Sequence, residues 1–233
     1  MEPTKTTRSM VRFTIEGDEV LVPDWVNDLE SFRRWTDDDA FPEHGQIAFL
    51  RGEVWVDMSK EQPITHTEVK SEINTVLRAI VRAERLGRFF HDGAFLSHET
   101  ADISNQPDGM FVSTDAVRSP RVQLIEGRGE GLVELEGSPD MVLEVVSRSS
   151  VTKDTVILRE AYAEAGIAEY WLVNAREQPL VFELLTLHEG RYIPAERHLG
   201  WQHSKVFGRW FRLVPIEQAG FASYRLQTQT ERP

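Results

Sequence analysis

No cysteine occurs among the 233 residues. That absence excludes a disulfide framework, a thiolate zinc site and a cysteine nucleophile. Long apolar runs are missing as well: nothing approaches the ~18 consecutive apolar residues of a membrane-crossing helix. The opening MEPTKTTRSM has no apolar region of the secretory kind, so a cytoplasmic protein without a membrane partner is expected. Positive charge is in deficit, 26 Lys and Arg against 38 Asp and Glu, for a net charge of −12. Proteins that coat nucleic acid without regard to sequence take their affinity from neutralised phosphates, and this chain is not of that kind. A local basic groove, or contact through bound metal ions, remains compatible with the charge. A GxxxxGK[ST] phosphate loop, a G-x-S-x-G elbow and an H-E-x-x-H pair are all absent, which sets aside the chemistries that depend on them.

What is present is an ordinary globular composition, 40% hydrophobic and 27% charged, long enough to bury a sizeable core. No repeat, low-complexity linker or change in composition divides the chain, so residues 1–233 read as one domain. VRFTIEGDEVLVP predicts a hairpin around Gly17-Asp18. Asn27 or Asp28 is placed to cap a short helix carrying Leu29, Phe32 and Trp35 on one side. IAFLRGEVWVDMS predicts two strands about Arg51-Gly52, with Glu53, Trp55 and Asp57 on one face and Val54, Val56 and Met58 on the other.

Thr65 with Glu68 has the form of a capping box. Val69, Ile73, Val76, Leu77 and Ile80 follow at helical spacing, and Gly87 offers a stop, so a helix is expected over 66–86. Strands are expected at RFFHDGAFL, GMFVS, LVELE and MVLEVV, a second helix from Asp154 to Gly166, and strands at EYWLVN and LVFELLTL. Beyond Trp201, the aromatics Trp210, Phe211 and Phe221 predict a tail that packs on the body and frays at QTQTERP. A strand-helix-strand unit over 141–174 is long enough for a crossover, so a mixed α/β sheet with flanking helices is the expected architecture.

One residue is out of place. Glu144 lies inside MVLEVV, and an ionised carboxylate in an apolar strand is costly unless it is paired or metal-bound. The plainer explanation is a structural ion pair or a solvated strand face. Asp140 shares its strand face, but at ~3.3 Å per residue the two Cα atoms are ~13 Å apart, so Asp140 reads as the turn residue opening the strand. Asp108, in QPDGMFVS, begins another strand. If the strands are neighbours, the two side chains are close enough to share one Mg²⁺, although Pro-Asp-Gly alone is more often a turn.

A Pro-Asp entering a strand, a Glu inside a later strand, then a helix and a strand resembles the PD-(D/E)XK nuclease superfamily. PDMVLEVVSRSS, KDTVILREAYAEAGIAEYWLVN and RGEVWVDMS with a following histidine resemble one branch, the Uma2 (DUF820) family, over about residues 46–195. The resemblance is strongest over 139–174, where Pro139-Asp140, Glu144-Val145, Ser147, Asp154, Tyr162, Gly166 and Glu169-Tyr170-Trp171 fall in the family's order. It implies a restriction-endonuclease-like αβββαβ core with N-terminal hairpins and a C-terminal extension. It further implies a Mg²⁺- or Mn²⁺-dependent endonuclease acting on nucleic acid, DNA above all, and a homodimer, because such nucleases cut both strands as pairs.

By the same resemblance Asp108 and Glu144 are the metal ligands, with Glu53 and His66 as further members of the site. Three positions depart from the pattern: Val146 and Leu158 (with Arg159 beside it) stand where a lysine is expected, and Ala48 stands in place of an acidic residue. Lys153, at the mouth of the second helix, is the lysine selected for catalysis, ahead of Lys70. The alternative is a member of the same fold that has lost the chemistry and serves as a protein-interaction or dimerisation module. Glu53 as a solvated strand residue, His66 as a surface or capping residue, and Glu169-Tyr170-Trp171 as core packing are the plainer readings of those positions.

Overall fold

The structure, a computed structural model, describes residues 11–15, 18–42, 44–57, 61–129 and 131–233. In chain order the elements are β1 (Val11–Ile15), β2 (Asp18–Val22), α1 (Leu29–Thr36), β3 (Gln46–Leu50), β4 (Glu53–Asp57), α2 (Val69–Glu84), β5 (Gly87–His91), β6 (Phe95–His98), β7 (Ile103–Asn105) and β8 (Gly109–Ser113). They continue with α3 (Thr114–Arg118), β9 (Val122–Glu126), β10 (Leu132–Gly137), β11 (Met141–Val145), α4 (Leu158–Glu164), β12 (Glu169–Asn174), β13 (Val181–His188) and β14 (Arg191–Pro194). The last four strands are β15 (Arg197–His198), β16 (Trp201–Ser204), β17 (Arg209–Gln218) and β18 (Phe221–Gln229). Helices α2 and α4 each open with a π-helical turn, Pro63–Glu68 and Lys153–Ile157 respectively.

Four sheets result. The sheet that builds the site has the order β14-β13-β12-β11-β8-β5. Within it β5, β8 and β11 are antiparallel neighbours, and β11 runs parallel to β12 after the α4 crossover. The run α2-β5-β8-β11-α4-β12 is therefore the expected αβββαβ core of a mixed α/β architecture. A second six-stranded sheet, β4-β3-β7-β6-β10-β9, takes in the excursion between β5 and β8. The hairpin β1-β2 and the sheet β15-β16-β17-β18 complete the set.

All five residues of β11 are buried. Val142 and Val146 pack with α4 and the second sheet, while Met141, Leu143 and Val145 pack with α2 and the C-terminal sheet. This explains a strand apolar on both faces with one carboxylate in it. Asp28 caps α1 as expected, and Leu29, Phe32 and Trp35 are all buried. Glu169 opens β12 and accepts hydrogen bonds from Trp171 Nε1, Ser204 Oγ and the backbone N–H groups of Lys205 and Val206. It thereby ties the C-terminal sheet to the central one. Among the described residues no helix is long and apolar enough to cross a membrane.

Several boundaries differ from the sequence expectation. Helix α2 is entered through the π turn at Pro63 and ends at Glu84, with Arg85 in the left-handed conformation as its C-cap. Thr65 Oγ1 is buried without a hydrogen-bond partner, so the capping box does not form. Gly87 starts β5, where a Cβ would sit 2.1 Å from the Val112 carbonyl oxygen. RFFHDGAFL forms two strands in different sheets. The tail does not fray at QTQTERP: β18 pairs with β17 through Gln229, and Phe221, expected as an anchor, is 67% exposed beside the turn of that hairpin. The turn at Gly17 and the side chain of Met58 lie outside the described residues.

Candidate active site

The carboxyl end of β11 is where the N-terminal turns of α2 and α4 come together, and a cleft of about 600 Å³ opens there. Crevices at the carboxyl ends of strands are where α/β sheets commonly place ligands. Asp108, Glu144, Lys153 and His66 all line it or reach into it, together with Asp57, Glu61, Asp92, Ser147, Ser150 and Asp154. Glu53 does not. It is exposed at the far end of β4, and strand alternation puts Asp57, four residues on and ~13 Å away, on the same face at the cleft end. Asp57 accepts a hydrogen bond from Ser149 Oγ at 2.5 Å.

Strand pairing brings the two carboxylates together. The β8–β11 ladder ends at Gly109 opposite Leu143, so Asp108 stands beside Glu144 one step further on. Pro107 has no N–H to extend the ladder. Instead the Asp108 carboxylate continues it, with Oδ2 accepting the Val145 N–H at 2.7 Å. Asn74 Nδ2, from α2, donates to the Asp108 carbonyl at 2.9 Å. A Cβ on residue 109 would meet Asn74 Oδ1 at 2.6 Å. Pro-Asp-Gly is thus more than a turn, since its glycine lets α2 press against the strand that carries the aspartate.

Glu144 is 2% exposed. The Tyr162 hydroxyl donates to its Oε1 at 2.6 Å, and Asn105 Nδ2 donates to the same tyrosine oxygen at 2.8 Å. Burial drives the Glu144 carboxyl well above the usual range, opposed by the charge of Lys153 and reinforced by Asp154 and Asp108. Asp154, 1% exposed, is likewise pushed up to about 6 by burial, against the pull of Lys153 and of the Ser150 hydroxyl. Lys153 Nζ lies 3.3 Å from Asp154 Oδ1. Burial weakens its hold on the proton, but Glu144, Asp154 and Asp108 outweigh that and raise its pKa.

A second cation enters from α2. Lys70 Nζ lies 3.0 Å from Glu61 Oε1, 3.0 Å from Asp92 Oδ2 and 3.5 Å from Asp108 Oδ1. Its pKa too is raised, because Asp108, Glu61 and Asp92 outweigh its burial. His66 is buried between Glu61, 3.4 Å from Nδ1, and Asp108, 3.7 Å from Nε2. The plainer reading of His66 as a surface residue does not hold, since the π turn carries it buried at the cleft.

The site therefore holds carboxylates from two strands and lysines from two helices. Asn105, in a three-residue strand too short to show a pattern, was not legible in the sequence. Tyr162 was visible as a hydroxyl on an otherwise apolar helix face and as one of the residues in the family's order, but nothing in the sequence tied it to Glu144. Among the described residues no group of three or more His, Asp or Glu side chains is arranged to hold a metal ion. The donor chemistry of Asp108 and Glu144 nonetheless suits a hard divalent cation, since Mg²⁺ is commonly held by one or two carboxylates and completed by water and phosphate oxygens.

Fold and cleft together define a class, the mixed α/β restriction-endonuclease-like proteins with acidic groups at the carboxyl edge of the central sheet. The family model Uma2, described as "Putative restriction endonuclease", matches residues 29–214, and the chain belongs to that family. A solved structure described as "a putative nuclease belonging to DUF820" from Anabaena variabilis superposes with a TM-score of 0.57 at 18% identity, covering 77% of this chain and 90% of that one. At that identity the likeness shows a shared fold. No curated protein matches the chain.

Proposed function

We propose that the protein is a Mg²⁺- or Mn²⁺-dependent endonuclease that hydrolyses phosphodiester bonds of nucleic acid, DNA above all, with two chains pairing to cut both strands. The observation that carries this reading is the convergence of buried Asp108 and Glu144 from neighbouring strands with Lys153 at one open cleft, where Lys70 pairs with Asp108 from the adjoining groove. Asp108 and Glu144 would hold the ion, which supplies Lewis-acid polarisation of a phosphoryl oxygen and a water of lowered pKa. Lys153 keeps its proton among three carboxylates and is placed to stabilise charge developing on phosphate. It takes the part that Val146, fully buried in the core, cannot play. Lys70 and His66 orient Asp108.

A second reading is a family member that keeps the fold as an interaction or dimerisation module. The buried Val146 and the lack of a three-group metal cluster among the described residues favour it. Calorimetric titration with Mn²⁺ decides between the two, using the parent with Asp108→Ala and Glu144→Ala variants shown by circular dichroism to be folded. The nuclease reading expects binding by the parent that both variants lose. No heat from the parent at millimolar metal, or binding that survives both substitutions, would sink it.

A further inference from the structure

Helix α2 segregates its charges. Its carboxylates face the C-terminal hairpin and are engaged there: Glu68 accepts from the Ser223 hydroxyl, Glu72 accepts the Leu226 N–H at 2.9 Å, and Glu84 pairs with Arg209. The buried side of the helix carries Val69, Ile73, Leu77, Ile80 and Val81. A third face holds Thr67, Ser71, Thr75, Arg78 and Arg82, continued by Arg85 at the C-cap. The spacing of 4, 3 and 4 residues keeps Ser71, Thr75, Arg78 and Arg82 on one stripe, Thr67 of the π turn lines the same groove and Arg85 follows at the C-cap, and all six are exposed.

No carboxylate interrupts that stripe. Among the described residues Arg78, Arg82 and Arg85 enter no ion pair, in a protein of net charge −12. The stripe also starts at the site. A polar groove of about 270 Å³ along α2 is lined by Thr67, Lys70, Ser71, Thr75 and Arg78, and shares His91 and Asp92 with the catalytic cleft. Among the described residues the one acidic side chain in that groove, Asp92, is already held by Lys70.

We infer that this stripe is a track for the phosphodiester backbone of the substrate strand as it leaves the cleft, an inference that rests on the nuclease reading above. Hydroxyl groups nearest the cleft donate to phosphate oxygens, and arginines further out neutralise successive phosphates. From Thr67 to Arg85 the track extends on the order of 27 Å at 1.5 Å per residue, enough for several nucleotides beyond the bond that is cut. Concentrating positive charge on one stripe reconciles an acidic protein with a polyanionic substrate, because affinity follows the phosphates neutralised locally rather than the net charge.

The test is fluorescence anisotropy of a fluorescein-labelled DNA oligonucleotide, single-stranded and duplex, over a salt series with Ca²⁺ as the divalent ion. The parent is compared with Arg78→Gln/Arg82→Gln/Arg85→Gln and with a control of equal charge change on other surfaces, Arg118→Gln/Arg159→Gln/Arg191→Gln. The expected result is weaker binding by the α2 variant, with the slope of log affinity against log salt reduced by about 2–3 for three lost phosphate contacts, while the control keeps the parental slope. Equal losses in the two triple variants would overturn the track, because binding would then follow net charge alone. Parental affinity and slope in the α2 variant would overturn it while leaving the nuclease reading intact. No binding by the parent to either oligonucleotide would overturn the track and the nucleic-acid substrate together.

Discussion

At the scale of single residues, the cleft concentrates groups that would each be costly alone. Glu144 is tolerated inside an apolar strand because Tyr162 and Asn105 satisfy it and Lys153 compensates its charge. Tyr162 is the part of this arrangement that can be tested most cleanly, since Phe keeps its ring in place against Tyr170. Tyr162→Phe should destabilise the protein by about 1–3 kcal/mol, the scale for a buried acceptor losing its donor, and should push the Glu144 carboxyl further up. Urea unfolding of the two proteins measures the first effect, and an unchanged midpoint would show that the hydroxyl does not support Glu144. The oddity of Glu144 was legible in the sequence because it breaks a local pattern, and Asp108 became a candidate only as its partner at the start of another strand, a placement the family resemblance also implied. Tyr162 and Asn105 break none: a tyrosine suits a buried helix face, and an asparagine suits a loop.

At the scale of elements, two features place the chemistry: the antiparallel pairing of β8 with β11 and the π turns that open α2 and α4. π turns recur at functional sites, and here each one carries residues of the cleft. Elsewhere, the turn after β6 depends on a titratable group. His98 is half-buried, and its Nδ1 accepts the Ala101 N–H at 3.1 Å. Burial lowers its pKa, against the charges of Glu136 and Glu99. A histidine whose folded pKa lies below its unfolded value of ~6.5 contributes stability above that value and loses it as pH falls towards the folded pKa. Stability should therefore fall between pH 7.5 and 5.5 by more in the parent than in His98→Gln, measured by urea unfolding at each pH. Equal pH dependence in the two proteins would assign the loss to other groups. The long helices and buried strands were legible from periodicity and β-branching. The short strands β7, β9, β14 and β15 were not, because two to five residues carry too little pattern and pair only when a neighbouring sheet offers an edge.

At the scale of the whole molecule, binding of a divalent ion to the folded state alone must stabilise the entire chain by mass action. At a metal concentration a hundredfold above its Kd the gain is about 2.7 kcal/mol, which for a chain of this size corresponds to a rise in Tm of about 5–10 °C. The parent should show that rise with Mn²⁺, and Asp108→Ala and Glu144→Ala should not. A thermal melt with and without the ion checks it, and equal shifts in all three proteins would place any bound ion elsewhere. Composition alone determined that no thiol chemistry operates here, because cysteine is absent. Local patterning determined the order helix, strands, Glu144 strand, helix, strand, which the family resemblance sharpened to αβββαβ, and it singled out Glu144, because a carboxylate in a doubly apolar strand conflicts with its surroundings whatever the fold. Only the tertiary structure decided which distant groups share the cleft. Glu53 falls away from it and Asp57 towards it through the direction of one strand. His66 turns inward through the π turn that opens α2, and Lys70 does so from the regular helix just after it. The glutamates of that helix are engaged and its arginines left exposed because the C-terminal hairpin, more than a hundred residues later, packs on only one side of it. Such choices depend on contacts between segments remote in sequence, and no local propensity encodes them.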